Sequence, residues 1–171
     1  MIAARVTGGT RLRLSLVLAA PALALAACSP QPAAEATPAA ATQMRHPVSN
    51  LPLVPVTVTA DGEAHVFTSE VATTPEAQAQ GLMFRTELAD GEAMLFPRSD
   101  LGIASFWMKN TPIPLDIIFI GQDRRILNIA AMTTPYSLES VSAIGPTAAV
   151  LEIRGGLAEE LGIEAGDRVE W

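Results

Sequence analysis

Val54, Val56 and Val58 alternate with Pro55, Thr57 and Thr59, the two-residue period of a strand with one apolar face. Asp61-Gly62 is a turn, and a second strand over 64–71 completes a hairpin. Thr74 before Pro75 reads as an N-cap with proline at the first helical position, which predicts a short helix over 76–80 that stops at Gly81. Met83-Phe84 and Met94-Leu95-Phe96 are apolar clusters on either side of a polar loop over 86–92. A strand is predicted over 103–108, whereas Thr111-Pro112-Ile113-Pro114 is excluded from a central strand because neither proline has an amide hydrogen. The strongest strand pattern lies over 115–120, and Gly121-Gln122-Asp123-Arg124 turns it into an antiparallel partner over 125–130. Strands near 140–144 and 149–153, a short helix over 157–161 and a last strand over 168–171 complete the series. About eight short strands with one or two short helices predict a mainly β domain, a compact small barrel or sandwich. Trp171 on the final strand points to packing rather than fraying.

The pattern upstream is of another kind. Arg5, Arg11 and Arg13 precede an apolar stretch from Leu14 to Ala27, interrupted by Pro21 and ending at Cys28. A positive flank, a short apolar core and small residues before a cleavage point form a secretory signal. At about 14 residues the stretch falls short of the roughly 20 that a spanning helix needs. Leu25-Ala26-Ala27-Cys28 resembles a bacterial lipobox, whose cysteine is acylated and becomes the new N-terminus. Two or more acyl chains anchor stably where one is marginal, and Ser29 in place of aspartate favours the periplasmic face of the outer membrane. Residues 29–52 are rich in proline, alanine and polar side chains and have little to bury, which predicts a tether. The expected organisation is a signal over 1–27, a lipidated Cys28 with a linker over 28–52, and one folded domain over 53–171.

Charge and cysteine content narrow the chemistry. Beyond Arg13 the chain carries 18 acidic and 8 basic residues, a formal −10. No basic stripe is available to neutralise a phosphate backbone, so nucleic acid is excluded as a partner. Cys28 is the sole cysteine, which leaves the folded domain with no disulfide, thiolate nucleophile or cysteine-ligated metal.

Several segments together resemble the DUF192 family. They are Gly81-Leu82-Met83-Phe84-Arg85, Met94-Leu95-Phe96, Phe106-Trp107-Met108-Lys109-Asn110-Thr111 and Pro114-Leu115-Asp116-Ile117-Ile118-Phe119. Val150-Leu151-Glu152, Gly155-Gly156 and Leu161-Gly162-Ile163-Glu164-Ala165-Gly166-Asp167 continue the likeness, which spans about residues 64–170. The resemblance implies a compact, mainly β domain that is often exported or lipid-anchored. It brings no catalytic residue, substrate or cofactor with it. Ala93 departs from the glycine usual before the second motif, a difference of one methyl that matters where the backbone needs a positive φ.

The residues suited to ligand binding are Arg85, Trp107, Lys109, Asn110 and Asp116. Lys109-Asn110-Thr111 lies between an aromatic strand end and a rigid proline loop, which holds side chains still. Asp116 enters an apolar strand and, if inward-facing, needs a partner. Lys109 and Arg85 are the natural cations, and backbone amides of residues 110–113 are the alternative. His46 lies in the linker and His65 on an early strand, so no serine–histidine–acid set is expected. Asp116 with Glu152 or Glu87 is a conceivable carboxylate pair for glycoside chemistry. Met83, Met94, Met108 and Met132 are soft ligands, but their apolar neighbours read as core packing, and no metal or cofactor is expected. Gly155-Gly156 fits no phosphate-binding glycine fingerprint.

The leading expectation is a non-enzymatic envelope domain that binds a small ligand, a glycan or an envelope protein beside Lys109 and Asp116. An envelope hydrolase using paired carboxylates and a structural or assembly lipoprotein are the alternatives. A deep cleft with converging carboxylates would favour the hydrolase, and a sealed polar patch would favour the structural role.

Overall fold

A computed structural model describes residues 43–171; Cys28, the signal segment and most of the tether lie outside the described residues. The chain forms β1 (Leu53–Ala60), β2 (Glu63–Val71), α1 (Pro75–Gln80), β3 (Glu92–Pro97), β4 (Ile103–Phe106) and β5 (Leu115–Ile120). It continues with β6 (Ile126–Ala130), β7 (Val141–Pro146), β8 (Ala149–Arg154), α2 (Leu157–Glu160) and β9 (Arg168–Glu170). Seven strands make one sheet in the order β6-β5-β8-β3-β2-β1-β9, and β4 pairs with β7 in a separate ribbon. Within the large sheet β2 and β3 run parallel and the other pairings are antiparallel.

The two ends of the sheet meet. A bridge joins Arg125 to Arg168, the Ile126 amide donates to the Asp167 carbonyl at 2.9 Å, and the Val169 amide to that of Arg124 at 2.8 Å. The sheet is therefore a nearly closed barrel, which leaves little open edge. Trp171 packs partly buried against the interior, with the Arg124 guanidinium 3.3 Å above its ring.

Near-closure gives the sheet two buried faces. Val56, Val58, Phe67, Leu95, Ile118, Leu151 and Ile153 fill the inside. Met94, Phe96, Ile117, Phe119 and Val150 belong to a second cluster on the opposite face, with Leu82, Ala104, Met108 and Ala143 from the segments outside the sheet. Strands covered on both sides carry apolar residues at every position and lose the alternation that marks a half-exposed strand. β3 illustrates this: Ala93-Met94-Leu95-Phe96 is a continuous apolar run with four buried residues, read from the sequence as a cluster rather than a strand.

Most predicted elements lie where the pattern places them. Thr74 Oγ1 accepts from the Ala77 amide at 3.2 Å and caps α1. β4 ends at Phe106, two residues early, because the Met108 amide leaves the ribbon and donates to the Ser137 carbonyl at 3.0 Å. The folded part also starts before Leu53. Arg45 bridges Pro52, the Leu53 amide donates to the Met44 carbonyl at 2.8 Å, and Leu51 packs on the outer cluster. That stretch holds its place through polar bonds to Glu70 that composition does not display.

Gly155 lies against Pro114 and donates its amide to the Pro114 carbonyl at 3.0 Å. A Cβ there would fall 2.8 Å from Pro114 Cβ and 2.9 Å from its carbonyl carbon. Because backbone must move to admit it, Gly155→Ala is expected to cost about 1–3 kcal/mol, read as a lower urea midpoint at constant m-value. An unchanged midpoint would show that β8 and the proline loop are not held this closely.

Candidate functional site

The strand register separates the two carboxylates of the β5–β8 pair. Asp116 stands opposite Ile153, and Ile117 opposite Glu152. Directly paired residues share a face and successive residues alternate, so Asp116 faces the inside with Ile153 and Glu152 faces the outer cluster with Ile117 and Met94. The conceivable carboxylate pair of Asp116 and Glu152 does not form.

Asp116 is fully buried. Its Oδ1 accepts from the Met132 amide at 2.7 Å and the Gly156 amide at 2.9 Å, and its Oδ2 from the Ala158 amide at 2.9 Å. The expected partners Lys109 and Arg85 are absent from this set, as are the amides of residues 110–113. The carboxylate instead clamps the loop after β6 and the start of α2, whose Gly156 N-cap has no side chain to do so. Backbone donors satisfy a buried carboxylate without a second buried charge.

Arg85 is tied elsewhere. Its Nη2 donates to Glu70 Oε1 at 2.7 Å and Oε2 at 2.9 Å, and the Ser49 hydroxyl donates to the same carboxylate. His46 Nδ1 lies 3.5 Å from Glu70 Oε2 and 3.3 Å from Ser49 Oγ. A serine, a histidine and an acid thus do come together, contrary to the sequence expectation. Their order is not that of a hydrolase: serine, acid and Arg85 all face the same imidazole nitrogen. A triad needs the acid on the nitrogen remote from the serine. His65 is half-buried in β2 opposite Val58.

Trp107 and Lys109 line a cleft of about 340 Å³ with Phe96, Arg98, Phe106 and Glu152. Phe96 and Phe106 meet edge to face with centroids 5.1 Å apart, and Lys109 Nζ lies 5.1 Å from the Trp107 ring centroid. Asn110 adjoins this wall: its backbone has φ +57°, its carbonyl accepts from the Phe84 amide at 2.8 Å, and its Nδ2 lies 3.7 Å from Met83 Sδ. Of the five residues singled out from sequence, Trp107 and Lys109 share the cleft, Asn110 braces it, and Arg85 and Asp116 have separate bonding sets.

Glu152 is the residue that decides the chemistry of the cleft. It is 5% exposed, lines the cleft, and its Oε2 has no hydrogen-bond partner among the described residues. Burial pushes its carboxyl up to about 8, so it is mostly protonated at neutral pH. Arg98 Nε is likewise buried without a partner, while Arg98 Nη2 donates to Asp100 at 2.8 Å. The sequence signal for Glu152 is one acid inside the apolar run Ala149-Val150-Leu151-Glu152-Ile153. Of the four methionines read as core, Met94 and Met108 are buried and Met83 is half-buried, but Met132 is 57% exposed. Its amide is drawn inward to Asp116 at φ +48°.

Residues 56–171 match the model of DUF192, described as an uncharacterized ACR. The chain belongs to the DUF192 family. A crystal structure of a protein of unknown function from Novosphingobium aromaticivorans DSM 12444 is 60% identical with a TM-score of 0.74, over 77% of this chain and 94% of that one. A crystal structure from Sinorhizobium meliloti 1021, provisionally described as a transcription regulator, is 37% identical with a TM-score of 0.66, over 68% of this chain and 91% of that one. A comparison with curated proteins finds no match.

Three variants of this DUF192 domain separate these roles. Lys109→Ala is expected to cost less than about 1 kcal/mol, since it removes one exposed cation–π contact. Asp116→Ala is expected to cost about 3 kcal/mol or more by stranding buried amides; equal effects in urea unfolding would contradict the clamp. For Glu152 the folded pKa lies above the unfolded one, so its contribution is fully present below about 4.5 and is lost as pH rises towards about 8. Against Glu152→Gln, the wild type is expected to lose stability across that window at up to about 1.4 kcal/mol per pH unit. Parallel stability curves would show that the carboxyl is ionised in the native state.

Proposed function

We propose that this domain is a non-enzymatic binding module of the cell envelope, and that the cleft between Trp107 and Glu152 receives a small ligand. The observation that carries the reading is the buried Glu152 side chain, which lines a cleft walled by Phe96, Phe106 and Trp107 and whose Oε2 has no hydrogen-bond partner among the described residues. An unpartnered buried polar atom costs about 1–3 kcal/mol, and such atoms in native proteins call for a reason. A ligand that bonds to it supplies one, and aromatic walls with a few fixed polar groups are how small sites hold their occupants.

Glu152 is the only carboxylate lining the cleft among the described residues, so the two-carboxylate hydrolase has no second acid there. Acylation of Cys28 would hold the domain at the periplasmic face of the outer membrane, with the proline- and alanine-rich tether giving it reach. The Sinorhizobium relative's description does not suit a chain with 18 acidic and 11 basic residues, which has little to offer a phosphate backbone. An assembly role has its own support in Phe84, Met132 and Tyr136, which are 68%, 57% and 62% exposed and could meet a protein surface.

Crystals of the protein soaked with small polar aromatic fragments are expected to show occupancy in the cleft. Glu152→Leu is expected to raise the unfolding midpoint and abolish that occupancy, a trade of binding for stability. Fragments that collect elsewhere, or that fill the cleft of the variant equally well, would count against this site.

A further inference from the structure

The charged and titratable side chains that line the cleft among the described residues are Arg98, Lys109 and Glu152. Two of them carry buried atoms without partners, Arg98 Nε and Glu152 Oε2. Lys109 forms none of the described ion pairs, whereas Arg85, Arg98, Arg154 and Arg168 each face a carboxylate. Arg45, Arg124 and Arg125 also form none of the described ion pairs, and of these four cations Lys109 is the one that lines the cleft.

Glu152 takes part in none of the described ion pairs, and burial raises its pKa. Its neighbours across the sheet are Met94 and Ile117, and Leu82, Phe96, Met108 and Leu115 complete the apolar lining. With the carboxyl protonated, the cleft has Lys109 outside the described ion pairs, Arg98 already paired with Asp100, and a neutral O–H donor.

That arrangement discriminates by charge. A ligand ammonium would meet the like charge of Lys109 and would need Glu152 to ionise in an apolar setting. An anion would meet the opposite charge of Lys109, and an uncharged oxygen on the same ligand could accept from the protonated carboxyl. Aromatic walls suit a flat apolar body between the two ends. We infer that the cleft takes a small organic anion, a carboxylate drawn to Lys109, with an apolar body that ends in an uncharged oxygen bonded to Glu152. The inference rests on the cleft being the binding site proposed above.

Three probes of one shape separate the ligand classes: 4-hydroxyphenylacetate, tyrosol and tyramine, which share a phenol and differ in a carboxylate, hydroxyl or ammonium head. Each is titrated against the full chain and followed by NMR at the Trp107 indole, assigned from its loss in Trp107→Phe. The acid is expected to bind at least about tenfold more tightly than tyrosol, with tyramine weakest. Lys109→Gln is expected to erase the preference for the acid over tyrosol. Wild-type affinity for the acid is expected to fall as pH rises past about 8, while Glu152→Gln, which keeps an N–H donor, gives a flat profile.

Tyramine or tyrosol binding as tightly as the acid would overturn the anion assignment and leave the cleft as the binding site. A preference for the acid that survives Lys109→Gln would overturn the role of the cationic wall. No response of the Trp107 indole to any of the three, together with a cleft empty of soaked fragments, would overturn the cleft itself.

Discussion

Strands β5 and β8 are covered on both faces, and every polar side chain they bury must find a partner within the protein. Asp116 and Glu152 meet that constraint in opposite ways. Asp116 has three backbone amides aimed at its oxygens, from the loop after β6 and the start of α2. Glu152, on the opposite face, has no amide aimed at Oε2 and yields its charge instead, titrating near 8. A carboxylate held by backbone donors is a structural solution. A neutral carboxyl with a spare oxygen is a poor one for folding alone, since leucine or methionine would fill the same space without the penalty. The difference between these two acids is what separates scaffold from site.

The wall of the cleft depends on the same clamp at one remove. Asp116 draws in the Met132 amide, and the loop that follows supplies the Ser137 carbonyl for the Met108 amide and the Tyr136 amide for the Thr111 carbonyl. Those bonds hold the segment that carries Trp107 and Lys109. Phe84, Asn110, Met132 and Tyr136 all have positive φ along these loops, a conformation that costs bulky residues of order 1 kcal/mol or more each. The loops are held in unfavourable backbone states by bonds to one another. Such strain persists where surrounding contacts over-determine it, and here it fixes the edge of a cavity.

Much of the fold was legible because the β1–β2 hairpin alternates and because proline, glycine and threonine mark the ends of the short elements. β3 was not, since burial on both faces removes the periodicity by which a strand is read. The segment over 43–52 was read as tether on composition, and its order comes from bonds to Glu70 that only the folded chain brings within reach. The same cause dispersed the five expected site residues. Arg85 and Lys109 are both cations near aromatic motifs, and nothing in their spacing says that Glu70 claims Arg85 while Lys109 pairs with no carboxylate among the described residues. Register, not composition, set Asp116 and Glu152 on opposite faces.

The family motifs therefore divide into two groups by the work their residues do. Asp116, and Gly155 pressed against Pro114, are demanded by geometry, and a chain of this fold needs them whatever it binds. Glu152 is different, because its sheet neighbours Met94 and Ile117 belong to the apolar outer cluster and its Oε2 has no hydrogen-bond partner among the described residues. Trp107 is 49% exposed with a lysine over its face, so burial does not explain it either. Residues that stability does not require, gathered at one cavity with an unspent hydrogen-bonding atom, are where function is to be sought in this domain.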